Sequence, residues 1–235
     1  MEKTNYEFLF DQLKFLGFGE NLKTSLAEAM ENNQSSFELY FAADIDGEPV
    51  HAILYFSKTD AMANFYFSGY QLAMDNKLHH FRIYKGKGVT LKEGFNMLCG
   101  RAVFKQLTGK KEQKYYAWLQ LDLNSKEGEC FKMNTYYENY SFDMSKLLDQ
   151  LMIEPPSPNW DRAMLLRSLE RGNLQAALIK ENGKLKNVMI EANPVEKTIT
   201  IRENILQPEI FHRETDDIEN VLKNKNIRQK KLKEL

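Results

Sequence analysis

The chain has 235 residues, 43% of them apolar, with 32 Lys+Arg against 33 Asp+Glu for a net charge of −1, two Cys and four His. That apolar content excludes a disordered chain, and no apolar run approaches the roughly 20 residues a membrane helix needs. Cys99 and Cys130 stand far apart, which argues against a disulfide scaffold; with the charged start at Met1-Glu2-Lys3-Thr4 this leads us to expect a cytoplasmic protein without membrane contact.

The first apolar stripe is helical: Tyr6, Leu9, Phe10, Leu13 and Leu16, interrupted by Gly17 and Gly19. Leu22, Leu26, Ala29 and Met30 restart it as a second helix. The period then drops to two, with Phe37, Leu39 and Phe41 on one strand and Val50, Ala52, Leu54 and Phe56 on the next. Asp46-Gly47 between them predicts a two-residue hairpin, because both central positions of that turn take positive φ. Further strands are expected at Phe65-Tyr66-Phe67 and at Phe81-Arg82-Ile83-Tyr84.

Thr90-Leu91-Lys92-Glu93 is a capping-box pattern and opens a helix with Leu91, Phe95 and Leu98 on one face, ended by Gly100. Strands are expected at 101–107, 115–123 and 130–137, then a helix through Met144, Leu147, Leu148 and Leu151. Three prolines within Pro155-Pro156-Ser157-Pro158 stop the pattern and predict an extended linker. A helix over about 159–171 closes at Gly172, and strands follow near 174–180, 185–192 and 197–203, with a hairpin turn at Asn182-Gly183.

These elements predict an α+β fold of antiparallel sheets and helices, laid out as three successive helix–three-strand units. The expected divisions are an N-terminal region 1–153 (units 1–88 and 89–153), a proline linker 154–159, a small unit 160–206, and a C-terminal helix with a basic tail over 207–235. The last two units look most alike where a helix ends in Gly and runs into a strand, around Gly100 and Gly172.

The stretch Val89-Thr90-Leu91-Lys92-Glu93-Gly94-Phe95-Asn96-Met97-Leu98-Cys99-Gly100-Arg101-Ala102-Val103 resembles a recurring block of an uncharacterised Bacteroidetes family. Tyr116-Ala117-Trp118-Leu119-Gln120-Leu121-Asp122, Tyr137-Glu138-Asn139-Tyr140, Glu191-Ala192-Asn193-Pro194 and Leu16-Gly17-Phe18-Gly19-Glu20 are similar to the same family, so the likeness covers most of the chain. It implies a domain of unknown function that often accompanies conjugative or mobilisable elements. It supplies no catalytic residue to carry over.

The residues themselves carry no familiar reaction centre. Asp44-Ile45-Asp46-Gly47 lacks the register of a calcium loop, and His79-His80 point to opposite faces of a strand. Neither a zinc spacing nor a nucleophile elbow is present, and Cys99 beside Gly100 reads as a small packing residue. The expectation is therefore a non-enzymatic protein with no catalytic residues, no metal and no cofactor. Lys85-Gly86-Lys87-Gly88-Val89-Thr90 is the most credible anion-contacting loop, since it leads into a helix N-terminus. It also reads as a solvated turn whose glycines let the strand enter the capping box.

Net charge conceals a pattern. Residues 1–81 carry −7, 82–114 carry +7, 115–161 carry −5, 162–221 carry −1 and 222–235 carry +5. Arg82, Lys85, Lys87, Lys92, Arg101, Lys105, Lys110, Lys111 and Lys114 fall close to Tyr84, Tyr115, Tyr116 and Trp118. Cations neutralise phosphates and aromatic faces stack bases, which gives a nucleic-acid reading for Arg82, Lys85, Lys87, Lys110, Lys111 and Lys114. Lys223, Lys225, Arg228, Lys230, Lys231 and Lys233 of the tail would extend it. The competing and leading expectation is an accessory or protein-interaction component, with a protein partner or self-association through open sheet edges. There the acidic and basic blocks fold against each other.

Overall fold

A computed structural model describes residues 4–32, 34–58, 64–109, 112–181 and 183–203. The fold is α+β, with three antiparallel sheets. Helix α1 (Asn5–Phe15) starts in a capping box, Thr4 accepting from the Glu7 amide while Glu7 Oε2 accepts from the Thr4 amide at 2.8 Å. Helix α2 (Lys23–Glu31) follows, and the two cover one face of a four-stranded sheet of β1 (Ser36–Ile45), β2 (Glu48–Lys58), β3 (Phe65–Met74) and β4 (Lys77–Arg82). The first unit thus has four strands where a three-strand unit is expected. The Asp46-Gly47 hairpin forms as predicted, with φ of 57° and 84° and Ile45 paired to Glu48.

Helix α3 (Leu91–Leu98) opens on its own capping box, Thr90 with Glu93. A middle sheet of β5 (Val103–Thr108), β6 (Lys114–Glu127) and β7 (Cys130–Tyr137) comes next, in chain order. A 3-10 turn (Glu138–Tyr140) leads to α4 (Met144–Gln150), α5 (Arg162–Glu170) and a last sheet of β8 (Gln175–Glu181), β9 (Lys184–Asn193) and β10 (Thr198–Glu203). The proline segment is tied down at its start: Glu154 and Leu178 exchange two backbone hydrogen bonds of 2.9 Å. Arg162 reaches back from α5 to pair with Asp149 of α4 at 2.6 Å.

Layers alternate. Helix α3 packs against β3 and β4 on one side and β5 and β6 on the other, while α5 packs against β5, β8 and β9. Helix α3 is therefore buried nearly all round, including Glu93 and Asn96, rather than along the one stripe of Leu91, Phe95 and Leu98. Gly94 permits the close approach, since a Cβ there would stand 2.9 Å from Tyr70 Oη. The middle sheet divides two cores: Val103, Leu119, Leu121 and Phe131 join the core of the first sheet, whereas Ala102 and Trp118 join that of the last.

Candidate functional site

The Gly- and Lys-rich loop is a tight turn. Tyr84 and Lys87 exchange backbone hydrogen bonds of 2.9 Å, leaving Lys85 (φ 47°) and Gly86 (φ 77°) as the two central residues. The Lys87 amide is consumed in that turn. At the following helix, the Glu93 carboxylate already accepts from the Thr90 amide at 2.8 Å. The capping box thus fills the seat that an anion would take at this N-terminus, which favours the turn reading of the loop over a phosphate cradle.

Glu93 does more than cap. Its carboxylate also accepts from Lys105 Nζ at 2.8 and 3.1 Å, a pair with little exposure between α3 and β5. Lys92 pairs with Asp46 at 2.5 Å, joining the basic block to the acidic one, and Lys85 pairs with Glu112. Arg101 Nη2 donates to Asn96 Oδ1 at 2.6 Å. Much of the basic block is therefore engaged within the fold. Arg82, Lys87 and Lys114 are exposed and hold no ion pair among the described residues. The Lys85–Glu112 pair brings their turn to the β5–β6 turn that leads into Lys114. Lys110, Lys111, Lys223, Lys225, Arg228, Lys230, Lys231 and Lys233 lie outside the described residues, as does the expected C-terminal helix.

The aromatics beside the block divide by burial. Trp118 is buried against Phe104 and Phe142, with ring centroids 5.2 Å away in each case. Tyr115 packs on Tyr137, while Tyr84 and Tyr116 are exposed. No continuous stacking platform results, because β6 lends its central residues to the two cores.

The same turn forms one wall of a cleft of about 540 Å³. A second wall is α1, through Phe8, Gln12 and Phe15; the third is β5, through Phe104, Lys105 and Gln106. Neighbouring strand residues face opposite sides of a sheet, so three in a row can line one cleft only if it runs along the strand edge. Strand β5 is the outer strand of its sheet, with no other strand paired on that side among the described residues. Phe8 is 54% and Phe15 75% exposed, both turned away from the core that takes Leu9, Leu13 and Leu16. Sequence reasoning passed over this pair. The available signal was their spacing: seven residues apart, they share a helix face off the main apolar stripe.

His79 is buried on β4 while His80 is exposed, the alternation expected of neighbours on a strand. Among the described residues no three His, Cys, Asp or Glu side chains gather in a way that could hold a metal ion, and no helix is long and apolar enough to cross a membrane. Cys99 and Cys130 are free thiols. No family model matches the chain, and neither a curated protein nor a solved structure matches it on comparison.

Proposed function

We propose that this chain is a non-enzymatic, cytoplasmic interaction component, of the accessory kind that its resemblance to a mobile-element family implies. The observation that carries the reading is the cleft in which the open edge of β5 faces exposed Phe8 and Phe15. An open edge offers backbone hydrogen bonds to an added strand, and apolar rings beside it seat alternate side chains. The partner that fits is an extended segment with apolar residues for Phe8 and Phe15 and an acidic residue for exposed Lys87.

The test is a photo-crosslinking amino acid in place of Gln106 on the β5 wall of the cleft, with Phe8 and Phe15 kept or both replaced, followed by identification of the captured peptide. An acidic, apolar segment is expected, recovered after nuclease treatment and lost in the Phe8→Ser/Phe15→Ser variant. Recovery of the same proteins with and without those two rings would sink the reading. Capture that disappears with nuclease would instead favour nucleic-acid contact through Arg82, Lys85, Lys87, Lys110, Lys111, Lys114 and the tail. That contact would weaken steeply with salt.

A further inference from the structure

A second cleft, of about 350 Å³, opens where the middle sheet meets α4 and α5, and Phe104 lines it as it does the first. Phe104, Trp118 and Phe142 form a connected aromatic wall, Trp118 standing 5.2 Å from each of the other two and edge-on to Phe142. Glu138, Asp143 and Glu170 supply its charged groups, and no Lys, Arg or His lines it. These carboxylates come from three separate elements: the 3-10 turn, the position preceding α4, and the end of α5.

Their present engagements are few. Asp143 Oδ1 caps α4 by accepting from the Lys146 amide at 3.0 Å. Glu138 and Glu170 have neither a hydrogen bond nor an ion pair among the described residues. Burial pushes the Glu170 carboxyl up from its usual value, with Arg167 on the same helix opposing the rise. Glu138 and Asp143 are exposed, so only Glu170 is partly withdrawn from water, and a positive ligand would offset that cost. Aromatic faces attract cations as well, through the negative face of the ring. A neutral ligand would leave the half-buried Glu170 without a countercharge in the cleft, and an anion would meet three carboxylates.

We infer that this cleft binds the arginine side chain of a basic protein segment, with the guanidinium against the Phe104–Trp118–Phe142 wall and paired to Glu170 and Glu138. Guanidinium suits the site better than ammonium because it is planar, stacks on rings and forks onto carboxylates. Apart from Phe104, which lines both, the residues of this cleft are not those of the α1–β5 cleft, and its occupant has the opposite charge.

Trp118 supplies the readout. The chain has two tryptophans, so Trp160→Phe in the full chain leaves Trp118 as the sole indole emitter. Acetyl-Gly-Arg-Gly-amide is titrated against that protein, alongside the same peptide with lysine, with citrulline and with glutamate. Saturable quenching by the arginine peptide is expected, several-fold weaker with lysine and absent with citrulline and glutamate. Glu170→Gln, which keeps the shape and removes a half-buried charge, should weaken arginine binding about tenfold, and Phe142→Leu should weaken it without unfolding the chain. Phe15→Ser should leave it unchanged. Equal responses to arginine and citrulline overturn the assignment, as does undiminished binding by a folded Glu138→Gln/Glu170→Gln variant. Equal binding of lysine overturns the choice of guanidinium.

Discussion

Asn96, with no exposed surface, donates from Nδ2 to Asn173 Oδ1 at 2.9 Å and so joins the end of α3 to the end of α5. The same amide group donates to the Arg171 carbonyl at 2.8 Å, and Asn96 Oδ1 accepts from Arg101. The two helix ends that look alike in sequence thus lie against each other, and each repeats one internal bond. Arg101, just after Gly100, donates to Asn96; Asn173, just after Gly172, donates from Nδ2 to Ser168 Oγ at 3.0 Å. Asn96→Leu should leave the Arg101 guanidinium and the Arg171 carbonyl without that partner and cost about 2–3 kcal/mol. Urea denaturation would register this as a lower midpoint at unchanged slope. A loss below about 0.5 kcal/mol would mean that the network is dispensable.

Gly172 is constrained twice over. Its φ is 76°, and a Cβ would fall 2.9 Å from both the Ala102 carbonyl oxygen and Val103 Cγ2. Gly47, at φ 84°, has nothing within 4 Å of the same atom. Gly47→Ala should therefore cost about 1–2 kcal/mol from backbone strain alone, and Gly172→Ala roughly twice that. Thermal melts of the two variants separate the contributions; equal losses would show that crowding at Gly172 is relieved by a small shift.

Burial also separates the ion pairs. Lys105 and Glu93 are 19% and 9% exposed, whereas Lys92 and Asp46 are 40% and 59% exposed. Lys105→Met strands a buried carboxylate and should destabilise by about 3 kcal/mol. Lys92→Met should cost under about 1 kcal/mol, an effect that fades with added salt. Unfolding titrations at low and high salt would check both, and comparable losses would contradict the assigned burial.

Burial holds the His79 imidazole down at about 4 from its ordinary 6.5, helped by the neighbouring His80 charge, and His79 Nδ1 has no partner among the described residues. The unfolded chain takes up a proton there before the folded one does. The stabilisation is thus complete above pH 6.5 and is lost as pH falls towards 4, amounting to on the order of 3 kcal/mol. His79→Leu should remove that part of the slope. Parallel stability curves for wild type and variant between pH 7 and 4 would refute the prediction.

Elements were legible where a local rule acted alone. The Thr90–Glu93 capping box, the Asp46-Gly47 turn and β7 at 130–137 follow from a few adjacent residues. Strand β3 runs to Met74, beyond Phe65-Tyr66-Phe67, because Ser68, Gly69 and Gln71 break the apolar alternation while pairing with neighbouring strands supplies the missing support. The hairpin at Asp75-Asn76 was hidden for the same reason. Nothing local marks α3 as a helix between two sheets, since burial of Glu93 and Asn96 depends on Lys105, Arg101 and Asn173, which lie on other elements or beyond the helix. The basic block was legible as composition, but its ion pairs with Asp46 and Glu112 depend on tertiary placement. The cleft escaped because it is made by what α1 and β5 leave uncovered.

The middle sheet serves two masters, and this bears on how the chain can be divided. Cutting within the proline segment would free one fragment whose Trp118 and Ala102 have lost their cover, and another whose Leu165, Val188 and Ile190 have lost theirs. Neither piece is an autonomous half. They are complementary shares of a seam, suited to reassembly from separate polypeptides rather than to independent life as modules.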